Sequence, residues 1–181
     1  MVMRFTPLAV LCMLFQFCSC SSGLSIDSKP VAAVNVNRYL GNWYEIARFD
    51  HSFEHDMTNC IAYYALNDDG TISVTNRGMI DGKPKVSTGT AKLTETPGLL
   101  RVSFFWPFYS DYRILMLPDD YSYALVGSDT DKYLWILSRT PKLPDGKVMQ
   151  ILREATRRGY DTSSLIWVDQ ANNAIGTKKN R

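Results

Sequence analysis

The sequence predicts an all-β fold: an eight-stranded antiparallel up-and-down β-barrel with one C-terminal α-helix packed outside it. Three observations carry this. Eight short β-rich runs follow one another between Trp43 and Ser138, parted by turn signals such as Asn67-Asp68-Asp69-Gly70 and Thr96-Pro97-Gly98. Only afterwards does the period become helical, with Val148, Ile151, Leu152 and Ala155 at i, i+3, i+4 and i+7. Eight strands left as an open sheet would expose unpaired edges, which closure removes, and the barrel wall gives a helix with one apolar stripe a surface to lie on. Such a barrel has room inside for one small ligand.

In chain order, Val36 to Leu40 makes one turn of helix, and Gly41 stops it, suited to a tight entry by its freedom at positive φ. The first strand runs from Trp43 to Phe49, with Trp43, Glu45, Ala47 and Phe49 on one face and Tyr44, Ile46 and Arg48 on the other. A polar loop from Asp50 to Asn59 leads to Cys60 to Leu66, and the Asn-Asp-Asp-Gly hairpin returns the chain as Thr71 to Arg77. Asp81-Gly82-Lys83-Pro84 precedes Val86 to Leu93, and Thr96-Pro97-Gly98 precedes Leu99 to Phe105. Tyr112 to Leu117, Tyr121 to Val126 and Lys132 to Ser138 complete the set. The helix is introduced by Pro144-Asp145 and stopped by Gly159, and Leu165 to Val168 forms one last short strand.

At this point the residues resemble a family. Gly41-Asn42-Trp43 at the first strand, Asp119-Asp120-Tyr121-Ser122-Tyr123-Ala124 at the turn into the seventh, and Arg139 just after the eighth are similar in kind and order to the lipocalin motifs. The strings from Trp43 to His51, from Val102 to Phe105 and from Tyr133 to Pro141 look like the bacterial outer-membrane lipocalins, an apolipoprotein-D-like group. The resemblance implies a cup open at one end that binds and stores or transports a fatty acid such as palmitate, a lysophospholipid or another small amphiphile. It also implies a structural floor of Gly41 and Trp43, with Arg139 stacked on the indole from outside. A guanidinium over an indole face is physically reasonable there.

Strand parity from Trp43 and Arg139 gives the inward residues. These are Glu45 and Ala47; Ala62, Tyr64 and Leu66; Ile72, Val74 and Asn76; Val102, Phe104 and Trp106; Ala124 and Val126; Trp135 and Leu137. The small ones among them argue for space within the barrel. Tyr64, Asn76 and Arg113 are the candidate polar contacts, although both faces from Tyr112 to Leu117 are apolar enough that parity does not choose between them.

The amino terminus differs in kind. Arg4 precedes an apolar run from Phe5 to Phe17, too short for the roughly 20 residues of a membrane-spanning helix and built like an export signal. Phe17-Cys18-Ser19-Cys20 resembles a lipoprotein cleavage box, with Cys20 as the acylated residue; Phe17 and Cys18 depart from its usual pattern, which leaves ordinary cleavage near Ser22 open. Cys12 and Cys18 leave with the signal, and Cys60 is left without a disulfide partner. The expected organisation is a lipoprotein-type signal peptide over 1–19, a lipid-anchored tether over 20–35, the lipocalin domain over 36–172 and a polar tail over 173–181. The tether, fully extended, reaches roughly 50 Å. The expected place is the outer membrane, with a soluble periplasmic or secreted protein as the alternative.

With 45% hydrophobic and 21% charged residues, the chain suits one well-filled core, and a net charge of +2 provides no footprint for nucleic acid. An enzyme of the wider calycin group is the first rival reading. Its candidate groups are His51 and His55, spaced to share a helical face and ligate a metal, and Cys60 as a nucleophile; a polar loop and a buried apolar cysteine are the plainer readings. No cofactor is expected. A structural or partner-binding envelope lipoprotein is the second rival, and a homodimer stays open.

Overall fold

Gly41, at φ +90°, turns the chain from α1 (Val36–Tyr39) into β1 (Gly41–Phe49) in the computed structural model, which describes residues 26–171. The signal peptide, Cys20 and the 173–181 tail lie outside the described residues. Seven further strands follow as an antiparallel meander: β2 (Thr58–Leu66), β3 (Ile72–Ile80), β4 (Lys83–Leu93), β5 (Leu99–Phe105), β6 (Phe108–Met116), β7 (Tyr123–Gly127) and β8 (Leu134–Ser138). β1 pairs with β2 through its first half and with β8 through its second, which closes the barrel. Beyond it come α2 (Asp145–Arg157), a 3₁₀ turn at Thr162–Ser164 and β9 (Leu165–Trp167), which adds to the end of β1. The expected eight-stranded barrel with an external helix is the architecture formed.

Element ends differ from expectation for local reasons. β3 runs past Arg77 because Gly78 is a packing glycine within the strand: a Cβ there would lie 2.5 Å from Met57 Cε and 3.1 Å from Cys60 Sγ. β7 starts at Tyr123 because Tyr121, at φ +57°, still belongs to the preceding turn, where its amide bonds Pro118 O at 2.9 Å.

Two clusters divide the apolar residues. One fills the lower barrel, with Trp43, Val74, Ile114, Ala124, Val126 and Leu137. The other lies between the outer wall and α2, joining Leu115, Leu125 and Ile136 to Ile151, Ala155 and Tyr160.

Residues 26–35, expected as free tether, are strapped to the barrel. Arg158 donates to Asp27 O and Lys29 O, each at 2.9 Å, and to Leu115 O at 2.8 Å, while Val31 N bonds Ile114 O at 2.8 Å. The strap satisfies a guanidinium that is only 9% exposed.

Candidate functional site

The barrel encloses a cavity of about 820 Å³ that opens where β5 turns into β6. At its base Trp43 is fully buried, with its Nε1 donating to Tyr39 O at 2.7 Å and the Tyr39 ring 4.9 Å away. Below the indole, Arg139 places its guanidinium carbon 3.8 Å from the ring centre. Above it three phenols join: Tyr39 and Tyr112 lie 2.6 Å apart, and Tyr64 donates to Tyr112 at 3.1 Å. Burial raises the pKa of all three, so they remain neutral hydrogen-bonding groups.

Ala62, Val74, Val102 and Leu137 form apolar wall, with Asn76 among them. Asn76 Oδ1 is buried without a hydrogen-bond partner, an acceptor available to a guest.

One side of the cavity carries a buried charged station. Arg48 Nη1 donates to Glu45 Oε1 at 2.7 Å, and Arg48 Nη2 donates to the backbone carbonyls of Glu54 and of Met57, the latter at 3.3 Å. Trp135 Nε1 donates to Glu54 Oε2 at 3.2 Å, and His51 Nε2 stands 3.5 Å from the same oxygen. Burial, reinforced by the Glu54 charge and opposed by Arg48, holds Glu45 up at about 8. Burial also raises Glu54, whereas burial followed by Arg48 brings His51 down to about 4. Arg48 bonds the Glu45 carboxyl directly and Glu54 only through its backbone carbonyl, yet burial raises both carboxyls, so the pair favours retaining a proton at neutral pH.

Most parity-derived residues reach the cavity: Glu45, Ala62, Tyr64, Val74, Asn76, Val102, Phe104, Trp135 and Leu137 line it. Ala47 does not. The β1–β8 register shifts between Glu45 and Ala47, so Ile46 and Ala47 both enter the outer cluster under α2, and Arg48 turns inward instead. Ala124 and Val126 face inward but are fully buried against Trp43, Ile114 and Leu137 in the packed base, leaving no surface to the cavity. Ile72 shares that cluster, and Leu66 is half exposed at the end of β2. Arg113 faces outward, bonded to Asp111 at 2.7 Å and to Ser28 O at 3.3 Å, while Tyr112 takes the inward side of β6. Trp106 stands in solvent at the hairpin tip.

Glu54 and Tyr112, which line the cavity, and Arg48, buried behind Glu45, are the positions that sequence reasoning missed. For Tyr112 the signal was present in the period of β6 but balanced by apolar neighbours; for Arg48 it was hidden by the bulge.

The rival catalytic groups do not assemble. Cys60 is buried, with its thiol pKa raised by burial and by Glu45. His51 stacks on Phe53 with ring centres 4.0 Å apart, whereas His55 is exposed and pairs with Asp50 at 2.9 Å. Among the described residues, no group of three or more His, Cys, Asp or Glu side chains is placed to hold a metal ion.

A family model described as a lipocalin-like domain matches residues 34–170. The chain is 45% identical over 177 residues to a protein named outer membrane lipoprotein Blc from Escherichia coli (strain K12), covering 93% of this chain and 98% of that one. It is 37% identical over 150 residues to apolipoprotein D from Mus musculus, covering 76% of this chain and 78% of the relative. Among solved structures, insecticyanin from the tobacco hornworm Manduca sexta superposes with a TM-score of 0.68 at 23% identity, over 81% of this chain and 86% of that one, a likeness of fold.

Proposed function

Because the chain belongs to the lipocalin family, whose members bind small hydrophobic ligands, we propose that it stores or transports an amphiphile with a long apolar chain, a fatty acid or a lysophospholipid, in a bacterial envelope. The observation that carries this reading is the cavity: about 820 Å³ of space, deep, with an apolar lower wall and polar groups toward one side. Ligand clefts span roughly 300–1,000 Å³. A barrel serving only as scaffold would fill that volume with its own side chains. The name of the Escherichia coli relative supports a place at the outer membrane, with acylated Cys20 as the anchor.

The energetics are sufficient without strong head-group recognition. Burying about a dozen methylenes contributes roughly 10 kcal/mol at ~0.8 each. Association costs at least several kcal/mol, which leaves roughly micromolar affinity. Polar groups such as Asn76 Oδ1 and the Glu45–Arg48–Glu54 station then tune selectivity.

Titrating delipidated protein with long-chain fatty acids and lysophospholipids, below their aggregation concentrations, tests the reading. Trp135 lines the cavity, so saturable quenching of tryptophan fluorescence is the expected result. Absence of saturation with either class would overturn it.

A further inference from the structure

The two ends of the barrel differ in what they show to solvent. Among the described residues, the closed end exposes two large aliphatic side chains, Leu66 and Leu93. The open end exposes Phe53, Val86, Phe104, Phe105, Trp106 and Phe108. Three of these crown the β5–β6 hairpin, where Phe105 is 75%, Trp106 79% and Phe108 70% exposed. The Phe105 and Phe108 rings lie nearly parallel, with centres 6.3 Å apart, and the barrel covers neither. A monomer rarely leaves such a cluster in water without a partner for it.

We propose that this hairpin is a membrane-docking finger: Phe105, Trp106 and Phe108 enter the interfacial layer of a lipid bilayer and set the cavity mouth against it. Three observations select a bilayer over other occupants. Trp and Phe at a protruding tip match the chemistry of the membrane–water interface, where amphipathic rings settle at headgroup level. The finger is continuous with the cavity, since Phe104, Phe105 and Phe108 also line its mouth, so an amphiphile leaving the bilayer meets apolar surface throughout.

The strap supplies the third. Its last bonds to the wall are at Asp27 to Lys29, held by Arg158, and at Ser28 O beside Arg113. From Arg113 to Phe108 is five residues of β6, roughly 17 Å toward the open end. From Cys20 to Ile26 is six residues, roughly 20 Å at full extension. An anchor at Cys20 therefore keeps the bilayer beside the barrel and leaves the open rim free to meet it. The lipid entry route rests on the lipid-binding reading above, whereas docking of the finger stands without it.

The test mixes the full chain with phosphatidylethanolamine/phosphatidylglycerol vesicles carrying brominated acyl chains. The Trp106 contribution is taken as wild type minus Trp106→Phe, which cancels any quenching of Trp135 by lipid drawn into the cavity. Docking predicts that this contribution is quenched by the brominated lipid and shielded from aqueous iodide. It predicts, too, that Trp106→Asp weakens vesicle partition on the order of tenfold, since a charge replaces the most exposed ring. Trp106 does not line the cavity, so binding of monomeric lysophospholipid in solution is unchanged in Trp106→Asp.

Trp106 open to iodide and unquenched by the bilayer overturns the proposal. Shielding from both quenchers also overturns it, and assigns the finger to a second copy of the chain or another protein. Bilayer quenching without saturable ligand binding upholds docking while the lipid-binding reading fails.

Discussion

The guanidinium of Arg139 stacks 3.8 Å over the Trp43 ring while its Nη atoms donate to three carbonyls, Asn42 O at 2.7 Å, Arg38 O at 2.6 Å and Tyr39 O at 3.1 Å. One side chain thus ties the end of α1, the start of β1 and the residue after β8 into the closed base. Lysine keeps the charge but loses the planar fork and most of the stacking. Arg139→Lys is expected to cost about 1–2 kcal/mol and Arg139→Ala about 3 kcal/mol, from the lost cation–π contact and the loss of a charged donor to three carbonyls, of which Tyr39 O keeps the Trp43 Nε1 bond. Urea unfolding followed by far-UV circular dichroism checks both; an Arg139→Lys variant as stable as wild type, beside a full loss in Arg139→Ala, would show that the charge alone, and not the fork, holds the base.

Ala47 and Ala62 separate the two sides of the wall. Ala47 is fully buried in the cluster beneath α2, whereas Ala62 lines the cavity. Ala47→Leu should overpack that cluster and cost about 1–3 kcal/mol of stability, leaving ligand affinity unchanged. Ala62→Leu should instead fill the cavity and weaken lysophospholipid binding by about tenfold, with a smaller effect on stability. Denaturation midpoints and fluorescence titrations on the same two variants check this. Loss of affinity in Ala47→Leu would contradict the side of the wall given to it.

The same pair marks how far sequence reading reached. Strand order, closure and the external helix were legible because turn residues punctuate the chain and because the helical period appears once, late. Parity from Trp43 held through Glu45 and then inverted, since a bulge adds one residue without changing composition and Ile46 and Ala47 are both apolar. Glu54 carries no period at all: it comes from the β1–β2 loop and is buried only because that loop folds over Arg48 and Trp135. The strap over 26–35 reads as tether from the polar stretch Asp27-Ser28-Lys29, whereas Ile26, Val31 and Val34 pack on the two apolar clusters and the strap's hydrogen bonds to the wall are made largely by its backbone atoms, which leave no mark in the sequence.

The buried carboxyls give stability a pH dependence whose sign is fixed. Glu45 titrates near 8 in the fold against an ordinary value of 4.5, so the native state holds a proton that the unfolded chain releases. Its contribution is complete below about pH 4.5 and is lost as pH rises through 8. His51, lowered from 6.5 to about 4, behaves in the opposite sense: its contribution is complete above 6.5 and is lost as pH falls toward 4. Below 6.5 the two oppose each other, and above it the Glu45 effect remains. His55, raised by Asp50 but exposed, slopes the same way as Glu45 and weakly, because solvent screens the pair. The chain is therefore expected to be less stable at pH 8.5 than at pH 6.5, and Glu45→Gln should flatten that slope while leaving the His55 part in place. Urea midpoints for both proteins at the two pH values measure it. An undiminished slope in Glu45→Gln would move the retained proton from Glu45 to Glu54, the other raised carboxyl of the station.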